Sequence, residues 1–226
     1  MGNNLAIIPA RGGSKRIPKK NIKLFLGKPI IAYSIELARQ SGIFNEIMVS
    51  TDDQEIAGIA EKYGANIPFY RNEKTADDHA ILNDVLKEVV SDYHKIDKEF
   101  DHVCMILPTA PLIQHSVFLK AFELLQIKNF DSVRPVIQYS FPIHKAYRFH
   151  QHKLEKLFPD VYNNRTQDFE STYHDAGQFY WLNKNKFLSD PNKGGFIITT
   201  METQDIDSEE DWKMAEIKYK ILHRIK

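Results

Sequence analysis

A chain of 226 residues with 30 Lys+Arg against 30 Asp+Glu has no formal net charge, so no global field draws it to nucleic acid or to an anionic membrane. Hydrophobic residues make up 42%, enough for a sizeable core, and the length suits one large domain or one domain with an embellishment. The single cysteine, Cys104, excludes an intrachain disulfide and points to a buried thiol in a reducing cytoplasm, while no stretch approaches a membrane span and MGNNLAIIPARGG lacks the pattern of a secretory leader.

In chain order, NLAIIP reads as a first strand. Directly behind it, within residues 7–21, IIPARGGSKRIPKKN sets five cationic side chains and two adjacent glycines. A helix follows over residues 29–40 with Pro29 in its first turn, then the strand EIMVS, then a helix capped by Asp53 and ended at Gly64. NIPFY reads as another strand, residues 80–94 as a helix, HVCMIL as a strand, residues 116–127 as a helix and DSVRPVI as a strand. Such alternation predicts an α/β fold with a doubly wound, mostly parallel sheet.

The rhythm breaks at about residues 138–175, which are rich in Tyr, Phe, His and Asn without a helical period. This stretch reads as a small insertion of short strands, whose exposed aromatics suit dimerisation or a pocket wall. The α/β pattern returns in GQFYWL and GFIITTM. It ends in a helix from Ser208, where Ser208 and Asp211 form the pattern of a capping box. Phe179 and Trp181, alternating on one strand, read as core.

In a doubly wound sheet ligands collect at the carboxyl ends of the strands, and the basic loop lies at the first such end. Gly12 and Gly13 allow close backbone approach and turn amides toward phosphate oxygens, while Arg11 and Lys15 add charge. Neither G-x-x-x-x-G-K-[ST] nor G-x-G-x-x-G is present. A solvated basic loop fits the same composition, but the placement and the paired glycines favour a polyphosphate cradle. Near the end, TQDIDSEED sets Asp205 and Asp207 two apart, so an extended segment presents both carboxylates to one point. With phosphate oxygens they would suit Mg²⁺, and turn or capping chemistry is the alternative. The insertion and the strand after it also set a cation, Arg165, and the polar side chains Tyr173, His174, Asp175, Gln178 and Tyr180 among aromatic residues.

The stretch IIPARGGSKRIPKKNIKLFLGKPIIAYSIE resembles the signature of the cytidylyltransferases that activate nonulosonic acids, the family of the CMP-sialic acid synthetases. VSTDDQEIAGIAEKYGA, LPTAPL, FPI, NNRTQDFESTYHDAGQFYW and QDIDSEEDW extend the resemblance nearly end to end, in the order and spacing of its pseudaminic acid branch. The resemblance implies a nucleotidyltransferase that moves CMP from CTP to a nine-carbon keto sugar acid with Mg²⁺, and a homodimer. It makes Arg11, Lys15 and Lys20 triphosphate cations, adds Ala10, Gly12, Gly13 and Asn21 to the nucleotide site, and sets Arg71 against the cytosine. Arg16 and Lys19 become the outward pair. Asp205 and Asp207 become metal ligands, with Asp207 catalytic alongside Arg11, Lys15 and Lys20. For the sugar acid, Arg165 meets the carboxylate, Tyr173, His174, Asp175, Gln178 and Tyr180 become polar contacts, and either His144 or Lys145 takes the place of a basic sugar contact. Two departures stand out. Ala80, Ile81 and Leu82 replace hydroxyl-bearing or small residues, and Leu107 replaces the Gln of sialate-specific relatives, which favours another sugar stereochemistry.

Overall fold

The computed structural model describes residues 2–77 and 79–225. Its elements are β1 (Asn4–Pro9), β2 (Leu24–Phe25), β3 (Lys28–Pro29), α1 (Ile30–Ser41), β4 (Glu46–Ser50), α2 (Gln54–Lys62), α3 (Glu73–Ala76), α4 (Leu82–His94), β5 (His102–Ile106), α5 (His115–Lys128), β6 (Ser132–Gln138), β7 (Tyr147–His150), β8 (Lys153–Lys156), β9 (Tyr173–Asp175), β10 (Phe179–Asn183), β11 (Lys193–Ile197) and α6 (Glu209–Leu222).

Strands β11, β6, β10, β5, β1 and β4 lie in that order in one sheet. β1 pairs in parallel with both β4 and β5, and β11 pairs in parallel with β6. β10 runs antiparallel between β5 and β6, and β9 continues along the same edge of β6, also antiparallel. Gly177, at φ 62°, makes the break between β9 and β10. The central strand β1 is apolar on both faces because helices cover both: Leu5, Ala6, Ile7 and Ile8 are wholly buried. Ala6, Ile8, Val49, Cys104, Ile106, Phe179 and Trp181 pack on one face against α1, α2 and α5, with Trp181 stacked on Phe44 at 5.2 Å. Leu5, Ile7, Met48, Val103, Met105, Tyr180 and Leu182 pack on the other face against α4.

Local chemistry sets the helix ends. Asp53 caps α2, its side chain accepting from Glu55 N and Ile56 N, and Gly64 beyond that helix has φ 91°. Ser208 caps α6 in a reciprocal box with Asp211; the hydrogen bond from Ser208 is the main reason the Asp211 carboxyl lies below its usual value. Pro29 stands just outside α1 instead of in its first turn.

Two further expectations require correction. NIPFY forms no strand: Asn66 alone bridges to Met48, and Pro68, which lacks an N–H, follows two residues later. The helix expected from residue 80 begins at Leu82, where Asp84 accepts from Ile81 N. Between these points lies the short helix α3, whose four residues are too few to show a period. In the insertion, β7 and β8 form a separate two-stranded hairpin turned at Gln151 and His152, both at positive φ.

Candidate active site

The carboxyl ends of β1, β4, β5 and β6, with the start of antiparallel β10, gather the basic loop, the Thr51–Asp52–Asp53 turn, Leu107 and the β9–β10 break along one sheet edge. The loop leaves β1 through Ala10, fully buried, whose N–H donates to Ser50 O at 2.9 Å. Gly12 N donates to Asp52 Oδ1 at 3.0 Å, and Arg11 Nη1 donates to Asp77 O at 2.8 Å. Gly13 follows at the exposed tip, and Lys15 is also exposed. Asn21, buried, donates through Nδ2 to Arg11 O at 2.9 Å, closing the loop on itself.

Arg71 is a buried guanidinium, not a solvated strand-end charge. Its Nε donates to Ser50 Oγ at 3.0 Å and its Nη2 to Ser50 O at 2.6 Å. Burial pulls its pKa down to about 10, against the opposing pull of Asp52 and Glu88, so it is cationic at neutral pH. The field of Arg11 acts on it as well.

The acidic pair meets the basic loop. Lys20 Nζ donates to Ile206 O at 2.7 Å and lies 3.6 Å from Asp207 Oδ1. Arg16, read from the sequence as outward, is largely exposed, yet its Nη1 lies 2.6 Å from Asp207 Oδ2. Lys19 does face away, onto Glu55 of α2. The junction is apolar underneath: Ile17 of the loop and Ile206 of the acidic segment are both about 1% exposed and share a cluster with Phe25, Ile30, Trp212 and Ala215. Each charged motif is therefore pinned by one isoleucine to the same small core. With Ile206 turned inward, Asp205 and Asp207 are left on the solvent side. Among the described residues no three His, Cys, Asp or Glu side chains gather as a metal cage. Two hard carboxylates without a third protein ligand fit a Mg²⁺ ion that takes its remaining ligands from water and phosphate.

Beside Asp205 opens a cleft of about 450 Å³, lined by Leu107, Ile137, His174, Asp175, Gln204 and Lys218 among others. Of the residues expected to meet a sugar, His174 and Asp175 line it, and Tyr173 precedes them on β9. Asp175 Oδ1 accepts from Gly177 N at 2.8 Å and from Tyr180 Oη at 3.3 Å. Tyr180 itself is packed in the core, and burial is the main cause of its raised pKa. Gln178 is buried, its Nε2 donating to Glu202 O at 2.5 Å. His144, Lys145 and Arg165 do not line the cleft. His144 stacks on Phe169 at 4.6 Å, Lys145 Nζ donates to the carbonyls of Tyr162 and Asn164, and Arg165 makes a forked pair with Asp168.

Two residues at this edge escaped the sequence reading. Arg134 places Nη1 3.1 Å from Asp175 Oδ2 and its guanidinium 4.9 Å from the centre of the Tyr180 ring. Its buried Nε finds no partner among the described residues. The signal was an arginine inside the apolar strand SVRPVI, since a cation buried in a sheet needs a partner. Lys218 of α6 gave no signal, because it reads as one more charge on a solvated helix face.

Comparison with known proteins follows the same outline. The family profile "Cytidylyltransferase" matches residues 5–211. A pseudaminic acid cytidylyltransferase of Campylobacter jejuni is 40% identical over 97% of this chain and 97% of its own, and a CMP-N,N'-diacetyllegionaminic acid synthase of Legionella pneumophila is 33% identical over 94% of each. A solved structure of CMP:2-keto-3-deoxy-manno-octonic acid synthetase complexed with CTP superposes with a TM-score of 0.72 at 18% identity, covering 99% of this chain and 100% of that one, which supports the fold. With sheet, loop and acidic segment arranged as described and a match of that extent, this chain belongs to the cytidylyltransferase family.

Proposed function

We propose that the chain transfers CMP from CTP to the anomeric hydroxyl of pseudaminic acid, forming CMP-pseudaminic acid and pyrophosphate. The observation that carries the reading is the junction of the basic loop with Asp205 and Asp207 beside the cleft, each motif fixed to the same apolar cluster. The 40% identical relative named for pseudaminic acid supports the choice of sugar.

In this reading Arg11, Lys15 and Lys20 hold the triphosphate, Gly12 lets the loop pass close to the ligand while its own amide stays on Asp52, the Gly13 amide faces the phosphate oxygens, and Ala10, Asn21 and Arg71 shape the cytidine side. The sugar hydroxyl forms a bond to the α-phosphorus in line, the bond to the β-phosphate oxygen breaks, and the hydroxyl proton leaves to solvent. No covalent enzyme intermediate is needed, so positioning and charge neutralisation supply the catalysis. Mg²⁺ held by Asp205 and Asp207 would offset charge on the triphosphate. Lys20, beside Asp207, stabilises charge growing on the departing pyrophosphate.

On the sugar side, His174 and Asp175 meet the acceptor in the cleft, Tyr173 stands beside them on β9, and Gln178 and Tyr180 act from behind, Tyr180 through its hydrogen bond to Asp175 and Gln178 through Glu202 O. Arg165, with His144 or Lys145, supplies cations to the carboxylate from the insertion. That insertion is the dimerisation subdomain of a cytoplasmic homodimer. Among the described residues no helix is long and apolar enough to cross a membrane.

Pyrophosphate release, measured with CTP, Mg²⁺ and pseudaminic, legionaminic or N-acetylneuraminic acid in parallel, tests the reading. Pseudaminic acid is expected to give the highest kcat/KM, and preference for another acid overturns the choice of sugar. Asp207→Ala is expected to lower turnover ~100-fold or more with the circular dichroism spectrum unchanged. Near-normal turnover of that variant at limiting Mg²⁺ overturns the metal assignment.

A further inference from the structure

The segment carrying the acidic pair has little regular structure. Between β11 and α6 it contains the 3-10 turn Thr200–Glu202 and then runs irregularly to Ser208. Side chains hold it from two sides. From the sheet, Gln178 Nε2 donates to Glu202 O at 2.5 Å, and Thr203 Oγ1 donates to Ala176 O at 2.9 Å. From α6, Lys218 Nζ donates to Thr200 O at 2.8 Å, Thr203 O at 2.8 Å and Gln204 Oε1 at 2.9 Å.

An ammonium has three N–H donors, and here all three go to three residues within the five-residue stretch 200–204. A lysine on a helix face is ordinarily solvated or set against an acid. Lys218 instead meets two carbonyls and an amide oxygen, and no carboxylate lies within ion-pair distance of it among the described residues. Its side chain forms part of the cleft wall beside Gln204 and Asp205, where partial burial lowers its pKa. The convergence is specific to this lysine: Lys213 and Lys220 of the same helix are exposed and take no part in it.

We propose that Lys218 is a positioning residue for the reaction, clamping residues 200–204 to α6 and so fixing where the next residue, Asp205, meets the cleft and the triphosphate. Removal of the ammonium would leave three acceptors without their shared donor in a partly dry wall, and the segment would shift to recover water. Gln178 and Thr203 would still tether it to the sheet, so the predicted fault is loosening at the acidic end, with the sheet intact. The effect on turnover rests on the function proposed above, whereas the clamp rests on the hydrogen bonds alone.

The test compares the full chain with Lys218→Met, which keeps the stem and removes the donors, and Lys218→Arg, which restores charge and donors. Amide hydrogen exchange of the CTP-free protein reads the clamp. In Lys218→Met, exchange over residues 199–207 is expected to rise ~10-fold or more while β1 and β5 are unchanged, and Lys218→Arg is expected to reverse most of the rise. With CTP and pseudaminic acid, kcat of Lys218→Met is expected to fall ~10-fold while KM for CTP changes less than ~3-fold, because the triphosphate cations are untouched. Should the Met variant lose its fold by circular dichroism, Lys218→Gln, which retains two donors on a shorter stem, replaces it with the same expectations. Exchange over residues 199–207 within about twofold of wild type removes the clamp, and raised exchange with undiminished kcat removes the positioning role. If wild type is inert with every nonulosonic acid, the proposed function fails, while the exchange data still decide the clamp.

Discussion

Gly12 and Gly13 stand side by side, and the structure separates their roles. A Cβ on Gly12 would lie 2.7 Å from Asp53 Oδ2 and 3.0 Å from Asp53 Cβ, whereas a Cβ on Gly13 meets nothing within 4 Å. Gly12 is thus needed for packing against the residue that caps α2, besides presenting its amide to Asp52. Gly12→Ala forces either the loop or the cap to move and is expected to destabilise the fold by about 1–3 kcal/mol and to raise KM for CTP. Gly13→Ala is expected to leave the urea midpoint nearly unchanged. Urea unfolding of both variants with CTP titrations checks the contrast, and equal behaviour of the two would remove it. The glycine pair was legible in the sequence as a ligand-approach signal. The contact with Asp53 was not, because it joins residues 41 positions apart across two strand ends.

At the scale of elements, the site depends on two short irregular segments being pinned to one cluster. Ile17 sits between Arg16 and Pro18, and Ile206 between Asp205 and Asp207, so each apolar anchor orients the charges beside it. Ile206→Ala is expected to cost about 2–5 kcal/mol by cavity formation and to lower kcat beyond what the loss of folded protein explains. Thermal unfolding and active-site-normalised turnover check this; a stability loss with full specific activity would show that the pinning does not position the acids. The elements themselves were largely readable: β1 and β5 as continuous apolar runs, α2 from its Asp53 cap, α6 from its Ser208–Asp211 box. NIPFY misled because its apolar content serves packing of Ile67 and Phe69 without a ladder. The antiparallel return of β10 between β5 and β6 was not readable either, since strand direction follows from how the insertion brings the chain back and leaves no mark in local periodicity. Lys218 belongs to the same class, its three partners being 14 to 18 residues upstream around a turn.

For the molecule as a whole, the exposed apolar surface is concentrated in the insertion. The hairpin β7–β8 pairs Phe149 with Leu154 and Tyr147 with Lys156, and these side chains share one face. Phe149 and Leu154 on that face are 67% and 61% exposed. The opposite face is polar, with Arg148 near Glu155 and His150 paired with Lys153. A free two-stranded hairpin is marginal in water, and one with an apolar face gains stability by burying that face. In the proposed homodimer a second copy of the chain would supply a matching apolar face under two-fold symmetry, and Phe141, Phe158 and Tyr173, also exposed in the insertion, offer further apolar area for such an interface. The proposed homodimer therefore predicts that Phe149→Glu with Leu154→Glu, which sets two carboxylates directly opposite one another on that face, gives a folded monomer. Light scattering on a sizing column is expected to return one chain mass for the double variant and two for wild type at micromolar concentration. Turnover with CTP and pseudaminic acid then reads what dimerisation does for the site. If Arg165, His144 or Lys145 serves the cleft of the neighbouring copy, the monomer loses kcat/KM for the sugar while retaining its affinity for CTP, because the basic loop and the acidic pair belong to a single chain.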